Sequence, residues 1–450
     1  MILQFSVSNF RAFYERQTLS LTASNYDKTL PENCIAPDLP GLKRDRWVKG
    51  AAIYGANASG KSTLLEALKA LKTLVESSAK TTDPKEPITS IEPFALAPEA
   101  ATEPTAFAVT FVTESVRYEY RVAATRERVW HESLRAFPVG KEQTWFQRDW
   151  SPSSESYTWT PENPTGFNRD RSIESRTLPN ALYLSKAVAE NRSEVEPVFR
   201  WFKDRLFFLD LSTRNQLPDG FTVRQLAEET LHKARILELL RHADLGVMGA
   251  EVRQTKPVGP EFERMLSRLP EHLREDVRRS GNLMVYQTEL LHRGPGGASQ
   301  ALRWDSESAG TRRFFALAGP WLDILERGRV ICIDELETSM HPLMVRELLR
   351  LFFSGKENSN RAQILFTTHN PLLLDPTLIR RDQVWFTDKD DEGKAHLYPL
   401  TDYQPRQGES LVRGYVSGRY GAVPFVPDGL LGAFPEQENI STAKENATHG

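Results

Sequence analysis

The chain of 450 residues carries 57 Lys+Arg against 60 Asp+Glu, a formal net charge of −3, with 40% hydrophobic and 26% charged residues. That is the make-up of a soluble globular protein of about two or three domains or one large composite domain. It excludes a surface that grips nucleic acid over its whole extent and leaves room for a local basic groove.

Two cysteines, Cys34 and Cys332, exclude a disulfide framework, and no CxxC or Cys/His cluster suggests a zinc module. No run of 18 apolar residues suggests a membrane span. The opening MILQFSVSNF lacks a basic n-region and does not read as a signal peptide. A cytoplasmic protein is expected.

In chain order, residues 2–10 alternate apolar and polar and predict a strand, as do 20–23. Residues 48–54 form a short apolar run that stops at Gly55. From 61 to 75, Leu64, Leu65, Leu68, Leu71, Leu74 and Val75 fall on one helix face. A connector rich in Thr, Pro, Glu and Ala (78–105) leads to antiparallel strands at 106–113, 116–123 and 128–137. The polar stretch 151–168 reads as an exposed loop.

Residues 182–279 change character, with helical periodicity at 196–207, 222–241 and 260–279 and no heptads for coiled-coil arms. Strands return at 281–293 and 301–305. A helix at 311–326, a strand at 329–334, a helix at 342–353 and strands at 363–367 and 382–387 follow, and this alternation indicates a parallel α/β sheet. There is no internal repeat, and the polar tail 435–450 reads as disordered.

Between the strand at 48–54 and the helix at 61–75 stand Gly55, Ala56, Asn57, Ala58, Ser59, Gly60, Lys61 and Ser62, a full match to GxxxxGK[ST], followed by Thr63. The glycines let the backbone curl so that successive N–H groups point at phosphate oxygens, and the helix start adds its positive dipole end. Lys61 is suited to the β- and γ-phosphates and the Ser62 hydroxyl to Mg²⁺. Residues 55–63 therefore predict a nucleotide site.

A second apolar strand, RVICI at 329–333, delivers Asp334 and Glu335 at its C-terminal end, where ligands sit in open α/β sheets. Asp334 is expected to hold Mg²⁺ and Glu335 to act as general base on the attacking water. Cys332 is then a core residue. A third strand, ILFTTHN at 364–370, ends in His369, placed to hydrogen-bond a γ-phosphate. Ser308, Ala309, Gly310 and Thr311 open the helix before the acidic strand and offer a second anion-binding geometry, although Ser before a helix is also ordinary capping.

In this order the motifs resemble those of ABC-type ATPases of the SMC/RecF/OLD branch, with Ser308–Thr311 as a degenerate signature. DELETSMHP at 334–342 resembles the DE-x-E-x-S-x-HP form of AAA-named ATPases from bacterial abortive-infection and phage-defence systems, RloA-like and PARIS AriA-like. FSVSNFRAF at the start, 183–202 and VRGYVSGRYGAVP near the end resemble the same group, so the resemblance covers most of 1–425. One departure stands out: no Gln occupies the usual Q-loop, only Ile91, Glu92, Pro93 and Phe94.

The resemblance implies an α/β fold, an ABC-type head with a mixed phosphate-loop sheet and an antiparallel β subdomain, interrupted by a helical insertion. Its parts are 1–181, the insertion 182–281, 282–430 and a disordered tail 431–450. It implies ATP and Mg²⁺ as cofactors and a homodimer joined through ATP that can assemble further. In that dimer the signature closes over the partner's γ-phosphate, and Ser339 and His341 lie in the dimer-contact loop, Glu337–His341. The implied partner is a separately encoded effector, a nuclease by preference.

Two competing readings are a RecF-like DNA repair ATPase and an OLD-type enzyme with its own nuclease. Charge does not point to nucleic acid, and Arg44, Arg46, Arg274, Arg278 and Arg279 read first as solvated surface. The sole DxD, Asp388 and Asp390, reads as a hairpin turn, against a built-in nuclease.

Overall fold

The computed structural model describes residues 1–424, apart from 37–38, 40, 43–44, 161–166, 210–218, 229–230, 244–245, 268, 270, 282 and 407. The expected tail 431–450 and Arg44 lie outside the described residues.

The chain opens with β1 (Ile2–Ser8), β2 (Gln17–Ser20), β3 (Cys34–Ile35), β4 (Trp47–Val48), β5 (Gly50–Gly55) and α1 (Lys61–Ser77). A meander follows in β6 (Thr105–Thr113), β7 (Val116–Ala124), β8 (Val129–Phe137), β9 (Gln143–Ser151) and β10 (Ser156–Thr160). Next come α2 (Arg171–Arg176), α3 (Tyr183–Ala189), α4 (Glu196–Arg200), β11 (Leu206–Leu209), α5 (Asp219–Ala227) and α6 (Leu231–His242). Then β12 (Val247–Thr255), α7 (Pro260–Ser267), α8 (Glu271–Ser280), β13 (Val285–Arg293) and β14 (Ser299–Arg303) form a further unit. The chain continues with α9 (Ala309–Arg327), β15 (Val330–Ile333), α10 (Pro342–Phe353), β16 (Gln363–Thr367), β17 (Val384–Lys389), β18 (Ala395–Pro399) and α11 (Leu411–Val416).

The six-stranded sheet runs β11-β15-β16-β5-β17-β18, parallel except for the β17–β18 hairpin. A seven-stranded antiparallel sheet runs β10-β9-β8-β7-β6-β1-β2, and β12-β13-β14 form a third sheet. Because successive side chains of a strand face opposite ways, the six-stranded sheet divides the core in two. Ala51, Ile53, Cys332 and Leu365 face α1 and the antiparallel sheet, while Ala52, Tyr54, Ile331, Ile333, Ile364 and Phe366 face α9 and α10. Strands covered on both faces read as unbroken apolar runs, which is why β5, β15 and β16 were visible in the sequence. The helix face expected on α1, from Leu64 to Val75, is buried in the first cluster.

Buried charge pins the meander to the helices. Glu132 on β8 accepts from Arg148 Nε on β9 at 2.9 Å, from Tyr120 Oη at 2.8 Å, and from the N–H groups of Tyr183 and Leu184 at 2.7 and 2.9 Å. The carboxylate thus satisfies two free donors at the start of α3.

Three expectations change. The stretch 151–168 is not all loop, since Ser156–Thr160 pairs with β9 as a hairpin. The segment 196–207 is not one helix: after a wide turn at Trp201–Arg205, the apolar run Leu206–Leu209 joins the parallel sheet beside β15. The segment 182–281 is therefore not purely helical. It contributes this strand to the main sheet and also contains β12, and its longer helical stretches break into α5 with α6 and α7 with α8.

Candidate functional site

Strand β5 hands directly into the glycine loop and α1. Gly55 has no room for a side chain, because a Cβ there would sit 2.5 Å from Thr387 Oγ1 and 2.6 Å from Thr387 O. Gly60 adopts φ 106°, a conformation open to glycine, and is the residue from which α1 starts. Ser59 Oγ and Thr387 Oγ1 lie 2.7 Å apart, tying the loop to β17.

Lys61 is buried and donates to the carbonyls of Gly55 at 3.1 Å and Ala56 at 2.8 Å. Burial pulls its ammonium below the usual lysine range, against the opposing charges of Asp334, Glu335 and Glu337. A cleft of about 590 Å³ opens beside the loop, lined by Ala58, Ser59, Gly60, Lys61, Ser62 and Thr63, with Arg11, Glu92, Phe94, Arg126 and Lys389 on its other walls. Asn57 and Ala58 form the exposed tip of the loop, and Ala58 has φ 61°.

The acidic strand meets the loop from the neighbouring register. Ser62 Oγ donates to Asp334 Oδ1 at 3.0 Å across a sequence separation of 272 residues. Thr367 Oγ1, at the end of β16, donates to the same Oδ1 at 2.5 Å and accepts the Glu335 N–H at 2.8 Å. Glu335 has φ 48°, and its exposed carboxylate accepts from Thr338 Oγ1 at 3.1 Å.

His369 follows Thr367 by two residues, and its backbone N–H is held by Glu337 Oε1 at 2.5 Å. Burial first, then the charge of Lys61, lowers the imidazole pKa below its ordinary value, so neutral pH leaves it uncharged. Lys61, Ser62, Asp334, Glu335 and His369 are thus brought together from three adjacent parallel strands.

The signature residues are placed elsewhere. Ser308, Ala309, Gly310 and Thr311 do not line this cleft. Ser308 is the N-cap of α9, accepting the Thr311 N–H at 3.0 Å, with Thr311 Oγ1 2.8 Å from its Oγ. Gly310 packs against the loop after β15: a Cβ there would lie 2.9 Å from Ser339 O. Ser339 is exposed with φ 61°, and His341 caps α10, its Nδ1 accepting the Leu343 N–H at 3.3 Å.

Sequence reasoning missed Thr367, Arg11 and the part Glu92 plays at the Q-loop position. Thr367 stood in the quoted ILFTTHN run, but only strand pairing shows that it bridges Asp334 and Glu335. Arg11 forms a bidentate pair with Glu92 at 2.8 and 2.9 Å and also pairs with Glu66. That pair holds Glu92 below the usual carboxylate range. The segment without the expected Gln therefore lines the cleft through Glu92, Pro93 and Phe94. Asp388 lies near the end of β17, paired with His396, and Asp390 in the β17–β18 hairpin turn, their oxygens taken by Ala422 N and by Glu392 N and Lys394 N. Arg274 turns back on the carbonyls of Ser267 and Leu269, and Arg278 lies 3.7 Å from Glu263.

A phosphate loop on a buried parallel strand, with an acidic strand and a histidine strand converging on it, is the architecture of a P-loop nucleotide site on an α/β head. The family model described as AAA domain, putative AbiEii toxin, Type IV TA system matches residues 51–375, and the chain belongs to that family.

Among solved structures, the SMC head domain from Thermotoga maritima is similar at 14% identity and a TM-score of 0.36, over 88% of this chain and 98% of that one. An SmcHead bound to the C-winged helix domain of ScpA is similar at 13% identity and a TM-score of 0.38, over 90% and 99%. No curated protein matches the chain. No helix among the described residues is long and apolar enough to cross a membrane.

Proposed function

We propose that the chain is a cytoplasmic ATP-hydrolysing switch that closes as a homodimer, each site joining one chain's phosphate loop to the other's signature. The observation that carries this reading is the hydrogen-bonded series Ser62–Asp334–Thr367 beside Lys61, with Ser308–Thr311 outside the cleft that the phosphate loop lines.

The oxygens of Ser62 and Asp334, 3.0 Å apart, fit Mg²⁺, which takes one or two protein oxygens together with phosphate oxygens and neutralises charge on them. Lys61 would leave the loop carbonyls for the β- and γ-phosphates. Glu335 would take the proton of the water that attacks the γ-phosphorus, yielding ADP and phosphate, and His369 would contact the γ-phosphate. Glu335 suits a base because it is exposed at the strand end, while Asp334 is held by two hydroxyls.

Loss of the γ-phosphate removes the shared ligand, so ATP biases closed against open chains by its differential contacts. Ser339 and His341 would face the partner chain. On this reading the chain is a sensor or scaffold in an anti-phage system of the RloA-like or PARIS AriA-like kind, controlling a separate effector, by preference a nuclease; the toxin and antitoxin terms of the family description support a place in such a toxin–antitoxin-like system. The insert between the two halves of the head is the place for partner recognition: α5 and α6 pack on α9, while β14 is exposed along its length.

Glu335→Gln tests the switch. It should bind ATP, hydrolyse it about 10²–10⁴-fold more slowly, and double in mass by light scattering when ATP and Mg²⁺ are added. A mass that ignores ATP would sink the sandwich.

A further inference from the structure

Glu337 is the third carboxylate of the acidic run, and the chemistry above gives it no task. Its Oε1 holds the His369 N–H at 2.5 Å, while its Oε2 is buried without a hydrogen-bond partner. Two donors of the same neighbourhood are also buried and unpaired: Tyr54 Oη, one residue before the glycine loop, and Asn370 Nδ2, one residue after His369. Tyr54 and Tyr415 rings are 5.4 Å apart, and burial with the Glu337 charge holds both phenols above the ordinary range. Each unpaired buried group costs about 1–3 kcal/mol. The Glu337 carboxylate is thus committed to the His369 N–H through one oxygen only.

That loop is a compact unit. Glu335 and Ser339 have φ of 48° and 61°, Thr338 N donates to Glu335 O at 3.0 Å, and Met340 N to Glu337 O at 2.9 Å. At its far side, Ser339 O presses on Gly310, where a Cβ would come within 2.9 Å. One run of contacts therefore leads from the backbone of His369, through the Glu337 carboxylate and the 335–340 turn, to the first turn of α9.

We propose that Glu337 is a positioning residue that couples the switch histidine to the signature. Its carboxylate makes His369 and the 335–340 turn move together, so the state of one chain's γ-phosphate reaches the Gly310 that this chain lends to its partner. The proposal rests on the ATPase reading above and adds a route inside the chain between its two half-sites. Gly310 has no side chain because the turn must approach the α9 backbone this closely.

The test uses the full chain with Mg²⁺-ATP. Glu337→Ala removes the link, whereas Glu337→Gln keeps a side-chain oxygen to accept the His369 N–H. Circular dichroism checks the fold, and a fluorescent ATP analogue reports affinity. Glu337→Ala should keep its nucleotide Kd within about twofold of wild type, lose about tenfold in kcat, and leave KM unmoved. Glu337→Gln should stay within about threefold of wild-type kcat.

Gly310→Ala should lower kcat to a similar degree, and the Glu337→Ala/Gly310→Ala double variant should be little worse than either single one, as expected of one shared route. Wild-type kcat in Glu337→Ala, equal damage in Glu337→Gln and Glu337→Ala, or fully additive losses in the double variant would overturn the coupling. If Glu337→Ala fails to fold, Glu337→Gln and Gly310→Ala decide: intact kcat in Gly310→Ala overturns it. A wild-type chain that binds ATP without hydrolysing it defeats the ATPase reading itself, visibly in the control.

Discussion

The phosphate loop and the signature are both short Gly/Ser turns that open a helix, yet they are held in opposite ways. Around the phosphate loop, besides the local bonds of Lys61 to Gly55 and Ala56, side chains tie the turn to segments distant in sequence: Ser62 on Asp334, Ser59 on Thr387, and Gly55 pressed against the β17 backbone. At the signature the side-chain hydrogen bonds are local, from Ser308 to Thr311 three residues on, while the turn at Ser339, distant in sequence, packs on Gly310. One turn is tied to neighbouring strands of its own sheet, while the other caps α9 outside that cleft. A site that needs both is assembled most simply from two chains.

That contrast can be broken from either side. The largest effect is expected of Lys61→Ala, which should weaken ATP binding by about a hundredfold in equilibrium titration, since it removes the charged donor closest to the phosphates. Unchanged affinity would count against the loop as the nucleotide site. Gly55→Ala should come next. It forces a methyl group against Thr387 O and should lower stability by about 1–3 kcal/mol in urea unfolding, with nucleotide affinity falling alongside. Ser308→Ala should cost the least in stability, about 1 kcal/mol for a lost helix cap. Its ATP affinity in the isolated chain should stay at the wild-type level while hydrolysis drops. Equal losses of affinity in Gly55→Ala and Ser308→Ala would erase the distinction between the two turns.

The elements that carry the phosphate loop were legible because they are covered on both faces. β5, β15 and β16 stand out as apolar runs, and α10 and β16 match their expected bounds at both ends. What stayed hidden depends on pairing. Leu206–Leu209 was absorbed into a helical pattern, since four apolar residues after a helix carry no period of their own until β15 lies beside them. Val247–Thr255 exposes most of its residues as one strand of a small sheet, so its polar side chains concealed it. Ser156–Thr160 was lost in a polar stretch for the same reason. Within the site, Lys61, Ser62, Asp334, Glu335 and His369 followed from motif chemistry. Thr367 did not, and Glu337 entered only as the start of the dimer-contact loop, because their work is to hold Asp334 and the His369 backbone, and such contacts are set by the register between β15 and β16.

The central claim is that a complete site takes the phosphate loop from one chain and the signature from another. Mixing two inactive variants tests it most directly. Lys61→Ala spoils only the loop, and Ser308→Arg puts a bulky cation only at the signature. In a mixed dimer one site receives both defects and the other receives none. The two proteins, each without ATPase activity alone, should regain phosphate release when combined, and the account is contradicted if the mixture stays as inactive as its parts.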